Sequence, residues 1–343
     1  MTAVLVTGGA GFVGLNLVEA LLGRGEQVVV FGQEATLPEP AGEIFGRLPG
    51  RLEVISGDIR DPEALARLFR ERRIDRVFPF AAVTAGPARE AASPGLVLDV
   101  NLQGVIATLA AARDAGTVRR VVLPASSAVY GESAYDHAWL DEVTTPCIPI
   151  SLYGVTKYAV ERAGLRLAGL WGLDAVAARI GATYGPWERD TGLRDTLSPH
   201  LAIAQAALRG EEAVLPPAPL PSYDWVYVRD LAAGLIALLD CPAPPGRVFN
   251  LASATDWSPH AAACCDTMAR AMPGFRWRHA APGEAATIPF NDTRPRGLMS
   301  IERAAALGWA PAFAPEAAYA DYAAWQKQTQ RPSLSPAEAT VRT

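Results

Sequence analysis

The stretch Ala3-Val4-Leu5-Val6-Thr7-Gly8-Gly9-Ala10-Gly11-Phe12-Val13-Gly14 decides the fold. Ala3 to Val6 is a short apolar run of the kind that forms a buried strand, and Leu15 to Leu22 carries apolar positions at helical spacing. Between them lie the glycines. A dinucleotide-binding turn needs a tight reversal, a backbone that approaches a pyrophosphate with no Cβ in the way, and a helix N-terminus whose free N–H groups face the anion. Gly8, Gly11 and Gly14 can supply these three needs. Glycines alone make an ordinary turn; the flanking strand and helix give the motif its meaning.

Outward from this turn the alternation repeats. Apolar runs at Ala3 to Val6, Gln27 to Phe31, Leu52 to Ile55, Arg76 to Phe80, Arg120 to Leu123, Ala175 to Ile180 and Val248 to Leu251 read as seven strands, the first six separated by helical stretches. This predicts an α/β fold with a doubly wound parallel sheet. The texture changes between Gly185 and Ser222, where a charged loop, a helical stretch and a proline-rich run leave the sheet. The expected organisation is a dinucleotide-binding domain over 1–180 and 223–255, a smaller discontinuous substrate lobe over 181–222 and 256–327, and a frayed, Pro- and Ser-rich tail over 328–343.

With 343 residues, half of them hydrophobic and a fifth charged, the chain can bury a sizeable core. A formal charge of −5 offers no general field for nucleic acid or an anionic membrane, which leaves small-molecule partners. Cys147, Cys241, Cys264 and Cys265 show neither CxxC spacing nor companion histidines, so they read as reduced thiols and no metal is expected. The N-terminal run lacks the basic region and long apolar stretch of a leader, and no later 20-residue apolar stretch stands out. The expectation is a cytoplasmic, unanchored protein.

Tyr153 and Lys157 stand at i and i+4, at the start of an alanine-rich helix preceded by Pro149 and Ser151, so both side chains emerge on one face. A phenol is a poor base at neutral pH, but a nearby ammonium favours the phenolate, so Lys157 is expected to activate Tyr153. The phenolate could then take the proton of a substrate alcohol while its carbon gives hydride to a nicotinamide. The fifth strand ends in Leu123-Pro124-Ala125-Ser126-Ser127, at the sheet edge where ligands of open α/β sheets bind, and Ser126 is the hydroxyl chosen to orient the reacting oxygen.

Taken together, Thr7 to Gly14, Gly57-Asp58-Ile59, Asn101 before Gly104, Ser126-Ser127-Ala128-Val129-Tyr130-Gly131, Tyr153 to Lys157, Tyr184-Gly185-Pro186, Val226 to Asp230 and Leu307-Gly308-Trp309 resemble the extended short-chain dehydrogenase/reductase family, in its NAD-dependent epimerase/dehydratase branch. The resemblance runs from Val4 to about Trp309. It implies a Rossmann-like domain, a Ser126, Tyr153 and Lys157 triad supported by Asn101, and homodimers paired through helices near 101–115 and 153–170.

Candidate cofactor contacts are Gly8, Gly11, Phe12, Val13, Gly14, Gln33, Asp58, Ile59, Phe80, Ala81, Ala82, Tyr153, Lys157 and Ile180. Glu34 could reach a ribose 2′-hydroxyl and no arginine is evident to pair a 2′-phosphate, so NAD is favoured with NADP still open. Asp58 could either accept from an adenine amino group or cap the helix that starts near Pro62. Candidate substrate contacts are Thr84, Ser127, Ala182, Trp187, Arg189, Tyr223 and Arg294.

Several positions depart from the family pattern, which often has His at Pro79, Asn at Ala182 and Arg at Tyr223. The last two normally grip a nucleotide sugar. Their loss, beside Trp187, Arg189, Arg194, Tyr223 and Trp225, favours a smaller sugar or sugar acid, unless Arg294 or Arg296 binds a diphosphate instead. Ser127 and Ala128 replace the Asp-Glu pair of nucleotide-sugar dehydratases, which disfavours dehydration. The leading expectation is an NAD(P)-dependent oxidoreductase or epimerase acting on a sugar or sugar-derivative hydroxyl, with a dehydrogenase of a small sugar or sugar acid slightly favoured; the alternatives are a UDP-sugar 4-epimerase with tightly held NAD and a non-catalytic dinucleotide sensor.

Overall fold

The computed structural model describes residues 2–33, 36–288, 290 and 294–329. Seven parallel strands form the central sheet: β1 (Ala3–Thr7), β2 (Gln27–Gly32), β3 (Arg51–Ser56), β4 (Ile74–Pro79), β5 (Arg120–Ser126), β6 (Ala175–Ile180) and β7 (Val248–Leu251), in the order β7-β6-β5-β4-β1-β2-β3. Every residue of β1 and β5 is buried, as strands covered on both faces must be. Val4 pairs with Val28 and Arg76, so β1 lies between β2 and β4, and the direction of winding reverses between β1 and β4. Ligands of open α/β sheets bind at such a switch point. The glycine-rich turn after β1 and Phe80-Ala81-Ala82 after β4 flank it.

Helices cover both faces. On one side α1 (Phe12–Gly23) packs against a helix over Val228–Asp240, with Leu15, Leu17, Val18, Leu21, Leu231 and Leu235 in a common apolar cluster. On the other side lie α2 (Pro62–Glu71), α3 (Gly104–Ala115) and α4 (Leu152–Trp171), contributing Leu65, Leu68, Leu109, Ala112 and Val160 to a second cluster. Pro62 at the first turn and Asp61, whose side chain accepts from the Glu63 and Ala64 amides, start α2. The cap proposed for Asp58 therefore belongs to Asp61.

A helical stretch over 94–115, one turn of it a π-helix at Asp99–Gln103, is long and apolar enough to cross a membrane, contrary to the expectation of no such stretch. Its α3 portion packs against α2 and α4, so it serves the core.

A third cluster joins helices Pro199–Arg209, Ala261–Ala271 and Pro315–Thr329 around a small sheet of Glu212–Leu215 with Arg276–His279. Trp225–Tyr227 pairs with Ala182–Tyr184 in a separate two-stranded sheet beside the main one. The last helix includes residues 328 and 329, the first two of the expected frayed tail; 330–343 lie outside the described residues.

Candidate active site

The four cysteines are free, two of them buried at Cys264 and Cys265. The chemistry gathers elsewhere, at the carboxyl ends of β1, β4 and β5.

Gly8 has φ +66, and a Cβ placed there would lie 2.6 Å from Ala81 Cα. The turn after β1 thus presses on the strand exit at Ala81, whose N–H also donates to Thr7 Oγ1 at 3.1 Å. A Cβ on Gly14 would meet the Gly8 carbonyl at 2.4 Å, so the first turn of α1 is drawn down onto the loop. Gly11 caps α1 with no side-chain hydrogen bond, and no acidic residue occupies the first turn. The N–H groups of Phe12, Val13 and Gly14 belong to that first turn, which in any helix lacks internal acceptors. This cradle fits a dinucleotide pyrophosphate.

Towards the ends of β2 and β3, Gln33 Nε2 donates to Asp58 Oδ2 at 2.9 Å, and Arg60 grips the same carboxylate at 2.6 Å. Arg60 holds the Asp58 carboxyl down at about 2. The expectation that no arginine stands near the ribose site is therefore corrected, and a basic residue two positions after Asp58 was the available signal. Its charge is engaged by Asp58. Glu34 lies outside the described residues. Ile59 turns its side chain into the core against Gly104. Phe80, Ala82 and Ile180 remain half-buried at strand ends.

Ser126 ends β5, and its Oγ accepts from the Ala128 amide at 3.2 Å; Ser127 follows, partly open. Ser151 caps α4 by accepting from Gly154, which sets Tyr153 in the first turn. Ser126 and Thr84 stand at the Tyr153 phenol, close enough to favour its ionised form. Lys157, 3% exposed, places Nζ 5.5 Å from the Tyr153 ring centroid. Asn101 is fully buried: Oδ1 accepts from the Val83 amide at 2.7 Å, while Nδ2 donates to the Val83 carbonyl at 2.9 Å and to Thr156 Oγ1 at 3.2 Å. It ties the Val83-Thr84 segment to α4, as a positioning residue.

The electrostatics differ from the expectation. Burial raises the Tyr153 phenol, and what offsets this is the Ser126 hydrogen bond, the charge of Arg194 and the Thr84 hydrogen bond. Lys157 is itself pushed down to about 8 by burial. Its Nζ lies over the ring, and its charge is being lost in the alkaline range where the raised phenol titrates. Arg194 reaches this position because Thr84 and Arg194 form a β-bridge, with the Thr84 amide donating to Leu193 O. Buried Glu188 holds the guanidinium at 2.9 Å.

The substrate candidates divide. Thr84 joins the phenol. Trp187 is 3% exposed, packs against Phe45 and Trp325, and donates to Glu19 at 2.6 Å, so it is a core residue rather than a pocket wall. Arg189 donates to the Ala10 carbonyl at 2.8 Å, which places it on the glycine-rich loop. Ala182 lies beside Trp225 in the small sheet. Tyr223 stacks on Trp225 at 5.2 Å and accepts from Arg296 Nη1 at 3.0 Å, while Arg294 covers the Tyr135 ring at 3.5 Å. Arg296 also lies 5.5 Å from Tyr135, so two arginines and three aromatic rings form one layer beside a cleft lined by Tyr135, Trp139, Ser222 and Arg296. Tyr135 carried no sequence signal, since it faces the arginines only through the return of residues 294–296.

Residues 4–252 match the model of the NAD dependent epimerase/dehydratase family. The chain belongs to this family. It is an NAD-dependent enzyme family whose members act on nucleotide sugars, and a UDP-glucose 4-epimerase of Streptomyces lividans is 32% identical over 269 residues, 74% of this chain and 77% of the relative. Among solved structures, MoeE5 in complex with UDP-glucuronic acid and NAD is 26% identical with a TM-score of 0.76, covering 96% of this chain and 100% of that one. The NAD complex of Thermus thermophilus UDP-glucose 4-epimerase, also 26% identical, superposes at a TM-score of 0.73 over 96% and 100%. The doubly wound sheet is thus shared with these structures, and Tyr223, bonded to Arg296, stands where the resemblance leads one to expect arginine.

Proposed function

We propose that the chain is a UDP-sugar 4-epimerase that keeps its NAD bound between turnovers. The observation that carries this reading is the convergence of Ser126 and Thr84 on the Tyr153 phenol, above buried Lys157, beside a cradle fitted to a dinucleotide. The similarity to UDP-sugar epimerases supports it over the small-sugar dehydrogenase that the sequence alone favoured. A specific observation still favours the dehydrogenase as second reading: Ala182 and Tyr223 stand where an amide and a guanidinium would hold a diphosphate. Arg296, bonded to Tyr223 Oη, together with Arg294 restores positive charge to that layer.

Bound NAD would supply the acceptor, and afterwards the donor, of one hydride. Tyr153 takes the proton of the sugar hydroxyl as its carbon is oxidised to the ketone, and returns it when the carbon is reduced from the other face. Ser126 and Thr84 hold the phenol oxygen and the reacting oxygen together. Lys157 and the Gly8, Gly11, Phe12, Val13 and Gly14 turn hold the dinucleotide, with Gln33, Asp58 and the Phe80-Ala81-Ala82 segment at its flanks. Residues 181–222 and 256–327 form the lobe that receives the UDP-sugar. Two chains pair through the outer faces of α3 and α4, where Val155 and Leu170 are exposed.

The test is to incubate purified protein with UDP-glucose or UDP-glucuronic acid and follow the C4 epimer by NMR, while measuring NAD retained after gel filtration. Interconversion without added NAD supports the epimerase. Many-turnover reduction of added NAD by free sugars, with no epimer formed, overturns it in favour of the dehydrogenase.

A further inference from the structure

Below the reacting hydroxyls, the inward face of α4 carries a second charged residue. Glu161 follows Lys157 by one turn, about 6 Å further along the axis. It is wholly buried, and Arg179 of β6 grips it twice, Nε to Oε2 at 2.7 Å and Nη2 to Oε1 at 2.8 Å. Arg179 pairs in register with Ala125, the residue before Ser126. Its Nη1 donates to Tyr130 Oη at 3.0 Å with the guanidinium 4.9 Å from that ring, and Tyr130 in turn donates to Asn250 Oδ1 of β7 at 2.8 Å. One guanidinium therefore touches the helix carrying Tyr153 and Lys157, the strand beside Ser126, and the loop that leaves Ser126.

Resting on the reading of Tyr153 as the proton carrier, we propose that the Glu161–Arg179 pair is a positioning device that fixes the height and rotation of α4, and hence the seat of the Tyr153 phenol against Ser126. Besides the single neutral hydrogen bond from Asn101 to Thr156 near its start, this face makes apolar contacts, such as Gly164 against Leu123 and buried Val160. Apolar contact is non-directional and tolerates sliding and rotation. A two-pronged guanidinium–carboxylate pair fixes distance and plane together. The remaining polar groups around it are Tyr130, Cys147 and Glu142, so no other charge pair on this face can take over the register.

The experiment compares NAD-loaded wild type with Glu161→Met/Arg179→Met, in which both charges leave together so that neither is stranded and Tyr130 keeps Asn250 as its partner. The double variant should fold and retain NAD, while kcat falls at least about tenfold, KM stays within about twofold, and the pH midpoint of kcat moves. In tyrosine-labelled protein, the carbon-13 resonance of Tyr153 Cζ, assigned by its loss in Tyr153→Phe, should shift. This resonance needs no substrate, so it separates failure of this inference from failure of the epimerase reading. A folded double variant with unchanged kcat, pH midpoint and resonance overturns the proposal. If the double variant does not fold, Arg179→Lys keeps the charge without the planar fork and is judged by the same readouts.

Discussion

Replacing Gly8 and Gly11 by alanine should have separable effects, although both glycines belong to one motif. At Gly8 the backbone has φ +66, which costs an alanine roughly 1–2 kcal/mol. The new Cβ would also lie 2.6 Å and 2.7 Å from backbone atoms of Ala81, well inside the roughly 3.5–4.0 Å optimum for carbon contacts. Neither partner is a flexible side chain, so the Ala81 segment must retreat by about 1 Å, away from the Thr7 hydroxyl that now accepts from its amide at 3.1 Å. Strain, loss of that hydrogen bond and displacement together should destabilise Gly8→Ala by about 2–4 kcal/mol. At Gly11 the backbone is extended, and a Cβ meets only the Gly8 carbonyl, at 3.2 Å. Gly11→Ala should therefore cost the apo protein less than about 1 kcal/mol, yet weaken NAD at least about tenfold, because its methyl occupies the approach to the uncapped helix end. Urea melts of the apo proteins and NAD content after gel filtration give the two numbers. Equal destabilisation by both alanines, or full NAD retention in Gly11→Ala, would refute the reasoning.

Tyr153→Phe should keep NAD and the apo melting curve but lose about 10²–10⁴ in turnover, read as epimer formed per minute. Lys157 titrates at about 8 when folded against the ordinary lysine value of 10.5, so between those values the unfolded chain binds more protons and stability rises with pH. The buried ammonium's penalty, of order 3 kcal/mol, is thus fully present below about pH 8 and relieved towards pH 10.5. Urea melts at pH 8 and 10 should show this rise in wild type and its absence in Lys157→Met; equal slopes would contradict it. Trp187→Ala should cost about 3–5 kcal/mol, as loss of a core aromatic does, and leave KM for the sugar nucleotide unchanged in whatever folded protein remains.

The sheet was legible because burial on both faces writes each strand as an apolar run, and all seven expected strands are present, two with the expected bounds and none off by more than three residues at either end. The turn after β1 and the Tyr153–Lys157 pair were legible because each is local: a turn and one helical repeat suffice to place them. Trp187 was misread for the opposite reason. An aromatic in a charged loop resembles a pocket wall, and only the return of the chain against Phe45 and Trp325 makes it core. The layer of Tyr135, Tyr223, Arg294 and Arg296 is assembled from three distant segments, so no spacing rule could announce it.

The acidity of Tyr153 shows where such local reasoning stops. Spacing of i and i+4 correctly brings an ammonium to the phenol's side, but it says nothing about height, and Lys157 comes to lie over the ring. The same burial that encloses this lysine pushes its own titration down to about 8, so its charge is already being lost in the alkaline range where the raised phenol titrates. The groups that do favour the phenolate are Ser126, Thr84 and Arg194, from β5, from the exit of β4 and from a loop about 40 residues beyond Tyr153. Replacing Arg194 by Gln should therefore raise the pH midpoint of turnover more than Lys157→Met raises it. The opposite ranking, measured with NAD content held equal, would return the role to the lysine.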